Sequence, residues 1–125
     1  MSLLRVGIAG LGTVGGSLVK LLRQQAKTIE VRCGVSVEVT SVSARDKSRK
    51  RDFDIDGLIW HEHATGLAND KNVDVICELI GGSDGISLDL CQAAIKNGKH
   101  IVTANKALMA MHGANLAEQA EKYNI

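Results

Sequence analysis

A chain of 125 residues can form one domain with a real core, needs no disulfide or metal to staple it, and is too short for two ordinary domains. With 45% apolar residues, 23% charged residues and a net charge of +1, it has the composition of a soluble globular protein. That balance points to neither nucleic acid nor a membrane surface as partner.

No apolar run approaches the roughly 20 residues of a membrane span, and no signal-peptide pattern opens the chain, so a cytoplasmic location is expected. Cys33, Cys77 and Cys91 show no C-x-x-C or Cys/His ligand spacing, which favours reduced thiols. Cys77 and Cys91 lie in apolar patterns and are read as packing residues. His61, His63, His100 and His112 are too scattered to suggest a metal site. Proline is absent, and Phe53, Trp60 and Tyr123 are the only aromatics, leaving a core of Val, Ile, Leu and Ala. Such a core suits a parallel sheet covered by helices.

In chain order, Leu4–Ala9 (LRVGIA) reads as a strand ended by glycine. A helical period follows through Val14, Leu18, Leu21, Leu22, Gln25 and Ile29, with Gly34 as its stop. Val35–Val42 alternates valine with polar residues and predicts a second strand. Arg45–Arg51 (RDKSRKR) reads as a solvated loop, Leu58–Trp60 as a short strand, and Thr65–Asn69 as about one helical turn. Val73–Leu79 (VDVICEL) predicts a buried strand, broken by Gly81–Gly82. Ile86, Leu90, Ala93 and Ala94 mark a helix stopped by Gly98. A strand at His100–Thr103 leads into a helix over Lys106–Tyr123, with an interruption suggested at His112–Gly113. Asp84 and Asp89 read as helix-start and surface residues. The alternation predicts an α/β, doubly wound parallel sheet of the Rossmann type with right-handed crossovers. One further strand is expected after Ile125, so the chain reads as a domain cut before its last strand.

The string GLGTVG supplies G-x-G-x-x-G at Gly10, Gly12 and Gly15, after a strand and at a helix start, the context that makes this spacing a dinucleotide fingerprint. Gly10 would permit the tight turn, Gly12 the close approach of a pyrophosphate, and Gly15 close helix–strand packing. Backbone N–H groups near Thr13 and Val14 would bind the phosphates.

The end of the second strand bears on which dinucleotide is bound. An NAD site usually carries an acidic residue there. This strand ends in Arg45, and a guanidinium can receive a 2′-phosphate through paired hydrogen bonds. NADP is therefore favoured, with NAD as the alternative, because Asp46 becomes the ribose partner if the strand ends slightly later.

In open α/β sheets ligands bind beyond the carboxyl ends of the strands. Gly10–Gly15, Arg45, Leu79–Gly82 and Thr103–Lys106 all fall on that edge. Asn105 suits the cap of the last helix. Lys106 is at odds with the positive end of that helix's dipole, which makes it a candidate working residue.

GLGTVG at 10–15, ELIGG at 78–82, NGKHIVTANKALMA at 97–110 and HG at 112–113 together resemble the N-terminal cofactor domain of homoserine dehydrogenase. The resemblance implies reversible, NAD(P)-linked interconversion of L-homoserine and L-aspartate 4-semialdehyde, on the path to threonine and methionine. It implies Leu79, Ile80 and Gly81, with Thr103 and Ala104, on the nicotinamide side. It makes Lys106 the catalytic residue at the substrate end, handling the hydroxyl proton or holding a substrate oxygen as a cation. A partly desolvated lysine crowded by positive charge would shuttle a proton more readily. The family's substrate and dimerisation region has no counterpart within 1–125. The full-length protein is expected to be a homo-oligomer, and this chain to bind cofactor without turnover. Another two-domain NAD(P) dehydrogenase, a non-catalytic nucleotide-sensing module and a methyltransferase using S-adenosylmethionine are the competing readings.

Overall fold

In the computed structural model, residues 3–81 and 85–125 are described. Gly82, expected in the breaker and on the binding edge, and Asp84, expected at a helix start, lie outside these residues. Strands β1 (Leu3–Ala9), β2 (Ser36–Ser43), β3 (Ile59–His61), β4 (Val75–Glu78) and β5 (His100–Thr103) form one sheet in the order β3-β2-β1-β4-β5. Every neighbouring pair is parallel. This is the order of the first five strands of a doubly wound dinucleotide-binding sheet, whose direction of progression reverses between β1 and β4.

Alternation along β1 sends its side chains to two layers. Val6 and Ile8 join Val19, Val39 and Val42 on the face covered by α1 (Thr13–Gln24). Ala9 joins Leu67, Ile76, Leu90 and Ala94 on the other face, beneath a 3₁₀ turn (Ala64–Asn69) and helix α3 (Ile86–Lys96). Helix α4 (Lys106–Lys122) packs Leu108 and Leu116 against Cys91 and Ile95 of α3. Burial pushes the Cys91 thiol up to about 11, with the charge of Glu78 adding to the effect, which suits a packing cysteine.

Three expectations are corrected. The first helical period is two helices, α1 and α2 (Ala26–Cys33), separated at Gln25, and α2 buries no residue completely. The stop at Gly34 holds, with its backbone in the left-handed region at φ 77°. The fully buried residues of α1 are Gly15, Gly16 and Val19, with the expected Leu18 and Leu22 partly buried against the same cluster, while Val14 and Leu21 are 60% and 52% exposed. Gly15 lets the helix sit against the turn after β1, and Gly16 leaves room for the Phe53 ring, so the helix face that turns inward is set partly by its smallest residues. Finally, α4 runs unbroken through His112–Gly113. Leu108 and Leu116, about two turns apart on one stripe, hold it to α3 on both sides of the glycine.

Two polar clusters secure the sheet. Arg5 grips Asp74 through Nε at 3.1 Å and Nη2 at 2.9 Å, and its own N–H donates to the same carboxylate at 2.8 Å. These bonds hold the Asp74 carboxyl below its usual range. Asp70, beyond the 3₁₀ turn, accepts from Ser41 Oγ of β2 at 2.5 Å and lies 2.8 Å from His61 Nε2 of β3. Burial alone would raise the Asp70 carboxyl, but Ser41, His61 and the Asn72 N–H together hold it at about 2.

Candidate cofactor site

The carboxyl ends of β1 and β4 meet at the reversal point of the sheet. Gly10 leaves β1 at φ +95°, and its N–H donates to the Ser43 carbonyl of β2 at 2.8 Å. A Cβ on Gly10 would lie 2.7 Å from the Leu79 carbonyl oxygen, so the two loops touch backbone to backbone. A Cβ on Gly15 would fall 1.7 Å from the Gly10 carbonyl oxygen, so only glycine lets α1 sit this close to the turn. Gly12 is different: nothing lies within 4 Å of the position its Cβ would take. It caps α1 without a side-chain hydrogen bond, and the first turn carries no acidic residue. Gly12, Thr13 and Val14 are exposed. This open, uncapped helix start is a cradle that fits a pyrophosphate: its N–H groups lack intrahelical partners and its dipole favours an anion.

Arg45 lies two residues beyond β2 and is exposed. Asp46, the alternative ribose partner, is engaged with its own turn. Its carboxylate accepts from the Ser48 hydroxyl at 2.7 Å and the Ser48 N–H at 3.0 Å, and these bonds lower its pKa. Residues 45–50 are exposed, as expected of a solvated loop, but the run ends in an ordered arginine. Arg51 folds back to donate to the Asp46 carbonyl at 2.8 Å and stacks 5.4 Å from the Trp60 ring centroid.

On the β4–β5 side, Leu79 is partly buried while Ile80, Gly81 and Ala104 are exposed. Asn105 caps α4 as its residue type predicts, its side-chain oxygen accepting from the Leu108 N–H at 3.0 Å. Lys106 opens that helix exposed, and its ammonium makes no hydrogen bond or ion pair among the described residues. The desolvation expected of it is therefore not supplied by this chain's described residues.

Sequence reasoning passed over Glu78, the residue that joins these pieces. It is fully buried at the end of β4. Its Oε2 accepts from the N–H groups of Ile80 at 2.7 Å and Gly81 at 3.2 Å, and from Ser87 Oγ of α3 at 3.3 Å. Its Oε1 accepts from Thr103 Oγ1 of β5 at 2.7 Å, and Thr103 Oγ1 accepts in turn from the Asn105 N–H at 3.0 Å. A glutamate inside an apolar strand was the available signal, because a buried charge requires partners.

Residues 10–125 match the family model described as homoserine dehydrogenase, NAD binding domain. Homoserine dehydrogenase of Pseudomonas aeruginosa is 38% identical over 125 residues, covering 100% of this chain and 28% of that protein. The Bacillus subtilis enzyme is 34% identical over 122 residues, covering 98% of this chain and 28% of that protein. Among solved structures, homoserine dehydrogenase of S. aureus at pH 7.0 superposes with a TM-score of 0.89 at 34% identity, over 100% of this chain and 32% of that one. The Thiobacillus denitrificans enzyme gives 0.87 at 34% identity, over 99% of this chain and 28% of that one. The chain thus spans less than a third of the length of these relatives.

Proposed function

The chain belongs to the homoserine dehydrogenase NAD-binding domain family, and on that premise we propose that it holds NADP(H) for the oxidation of L-homoserine to L-aspartate 4-semialdehyde, and the reverse, by the whole protein. The observation that carries this reading is the reversal point of the sheet. An uncapped helix start and the 79–81 segment flank it, and an exposed arginine after β2 and the 103–106 segment after β5 follow the carboxyl ends of the adjoining strands. Gly12 leaves room for the pyrophosphate, and the N–H groups near Thr13 and Val14 orient it. Arg45 takes the 2′-phosphate. The engagement of Asp46 with Ser48 supports this choice, since a carboxylate already bound to its own turn is less available to a ribose.

The nicotinamide ring, when bound, supplies the hydride acceptor or donor. Leu79–Gly81 and Thr103–Ala104 line its side of the site. Lys106, on the same edge and without a partner among the described residues, exchanges the proton of the substrate hydroxyl. Desolvation of that ammonium is left to groups beyond these residues or to the bound ligands.

Calorimetric titration with NADPH and NADH tests the cofactor choice. NADPH should bind more tightly, and Arg45→Ala should weaken NADPH by roughly tenfold with little effect on NADH. Equal affinity for the two cofactors in the wild-type chain would refute the preference. In the complete enzyme, Lys106→Ala should lower kcat by about 10²-fold or more while NADPH affinity survives. A variant that loses cofactor binding instead would remove Lys106 from the proton-transfer role.

A further inference from the structure

Glu78 makes four hydrogen bonds as acceptor, and no cation contacts it among the described residues. Three of its donors lie on the two segments that flank the reversal point on the β4–β5 side: the Ile80 and Gly81 N–H groups on one, the Thr103 hydroxyl on the other. The fourth, Ser87 Oγ, shares its single proton with the nearer Gly81 carbonyl at 2.8 Å, tying the start of α3 to the same loop. From Thr103 the connection continues through the Asn105 N–H, and the Asn105 side chain caps the helix that begins with Lys106. One buried carboxylate therefore sets the spacing between the 79–81 loop and the start of α4. An ordinary fold-stabilising pair would link two groups. This one links two segments that carry the exposed residues Ile80, Gly81, Ala104 and Lys106 on the binding edge.

We propose that Glu78 is a positioning residue for the nicotinamide end of the site: it fixes the 79–81 and 103–106 segments at the separation that receives the ring, and it touches neither cofactor nor substrate. This rests on the cofactor reading above. The adenosine half is held elsewhere, by the α1 start and the β2 end, which Glu78 does not contact. Its influence on binding should therefore reside in the ring.

Two ligands separate that influence from a general effect on folding: NADPH, and 2′-phospho-ADP-ribose, which is the same molecule without the nicotinamide. Both are titrated calorimetrically into the wild-type chain, Glu78→Ala and Thr103→Val. The valine variant keeps the shape of the side chain, removes the bridging hydroxyl, and carries the test alone if the alanine variant does not fold. NADPH should weaken by about tenfold in Glu78→Ala and about three- to fivefold in Thr103→Val, with the ring-less ligand changed by less than about twofold. Equal weakening of both ligands would reduce Glu78 to a structural role, and unchanged NADPH affinity in the folded variants would overturn the proposal. A wild-type chain that binds neither ligand would remove the cofactor reading and this proposal with it. Wild-type binding with unchanged variants would remove the proposal alone.

Discussion

Gly12 and Gly15 stand three residues apart in one motif, yet they are glycine for opposite reasons. At Gly15 a methyl group would enter the Gly10 carbonyl oxygen, a backbone atom that cannot swing aside. Gly15→Ala should therefore cost more than about 3 kcal/mol, because α1 must lift from the sheet to admit it. At Gly12 the same methyl meets empty space, and φ is an ordinary −74°. Gly12→Ala should keep the fold within about 1 kcal/mol of wild type, alanine being only a poorer cap. It should nonetheless weaken NADPH, because the methyl projects where the pyrophosphate approaches. Urea denaturation and NADPH titration of the two variants separate these roles, and a Gly12→Ala chain that binds NADPH like wild type would contradict the assignment. The spacing of these glycines was legible in the sequence because a turn, a close packing contact and a helix start are all local. Glu78 was not, since its meaning depends on Thr103, 25 positions away, and on Ser87 in another element.

β1 and β4 were legible as short apolar runs closed by glycine, β2 by its alternating valines, and β5 falls at the residues the pattern predicts. Helix faces were harder to read, because hydrophobic periodicity assumes that the largest side chains point inward. In α1 Gly15 and Gly16 share the inward face with Val19, so Leu18 and Leu22 pack only partly and Val14 and Leu21 are left outside. The Asp70 cluster was also hidden, because it joins β2, β3 and the 3₁₀ turn through residues 9 and 29 positions apart. It has a measurable signature. A carboxyl held at about 2 in the fold, against 3.8 when free, stabilises the protein fully above pH 4, and this contribution is lost as pH falls through 2. The linked stability is on the order of 2 kcal/mol. The stability gap between wild type and Asp70→Asn, measured by urea denaturation, should be widest above pH 4 and should narrow between pH 4 and pH 2. A gap independent of pH across that range would show that the carboxylate charge is not what secures the turn.

For the molecule as a whole, the sheet order β3-β2-β1-β4-β5 places a single reversal point between β1 and β4, with Gly10–Gly15 after β1 and 79–81 after β4 beside it, and Arg45 after β2 and 103–106 after β5 one strand further out on each side. The proposed pyrophosphate cradle, Gly10–Gly15 with the start of α1, lies within the described residues. The proposed substrate end is represented by Lys106, which is exposed and has no internal partner among the described residues. Cofactor binding and turnover should therefore separate in the 125-residue chain. NADPH at a hundredfold excess over its dissociation constant should add about 2.7 kcal/mol of stability, raising Tm by roughly 8–15 °C for a domain of this size. Homoserine alone should leave Tm unchanged, because one exposed lysine offers no enclosed, multiply hydrogen-bonded site for a small amino acid. With homoserine and NADP⁺ together, the chain should form no reduced cofactor by absorbance, while the complete enzyme does so under the same conditions. Turnover by the chain alone would mean that Lys106 and the described edge suffice for the chemistry, and that the proton-transfer environment is assembled within these residues after all.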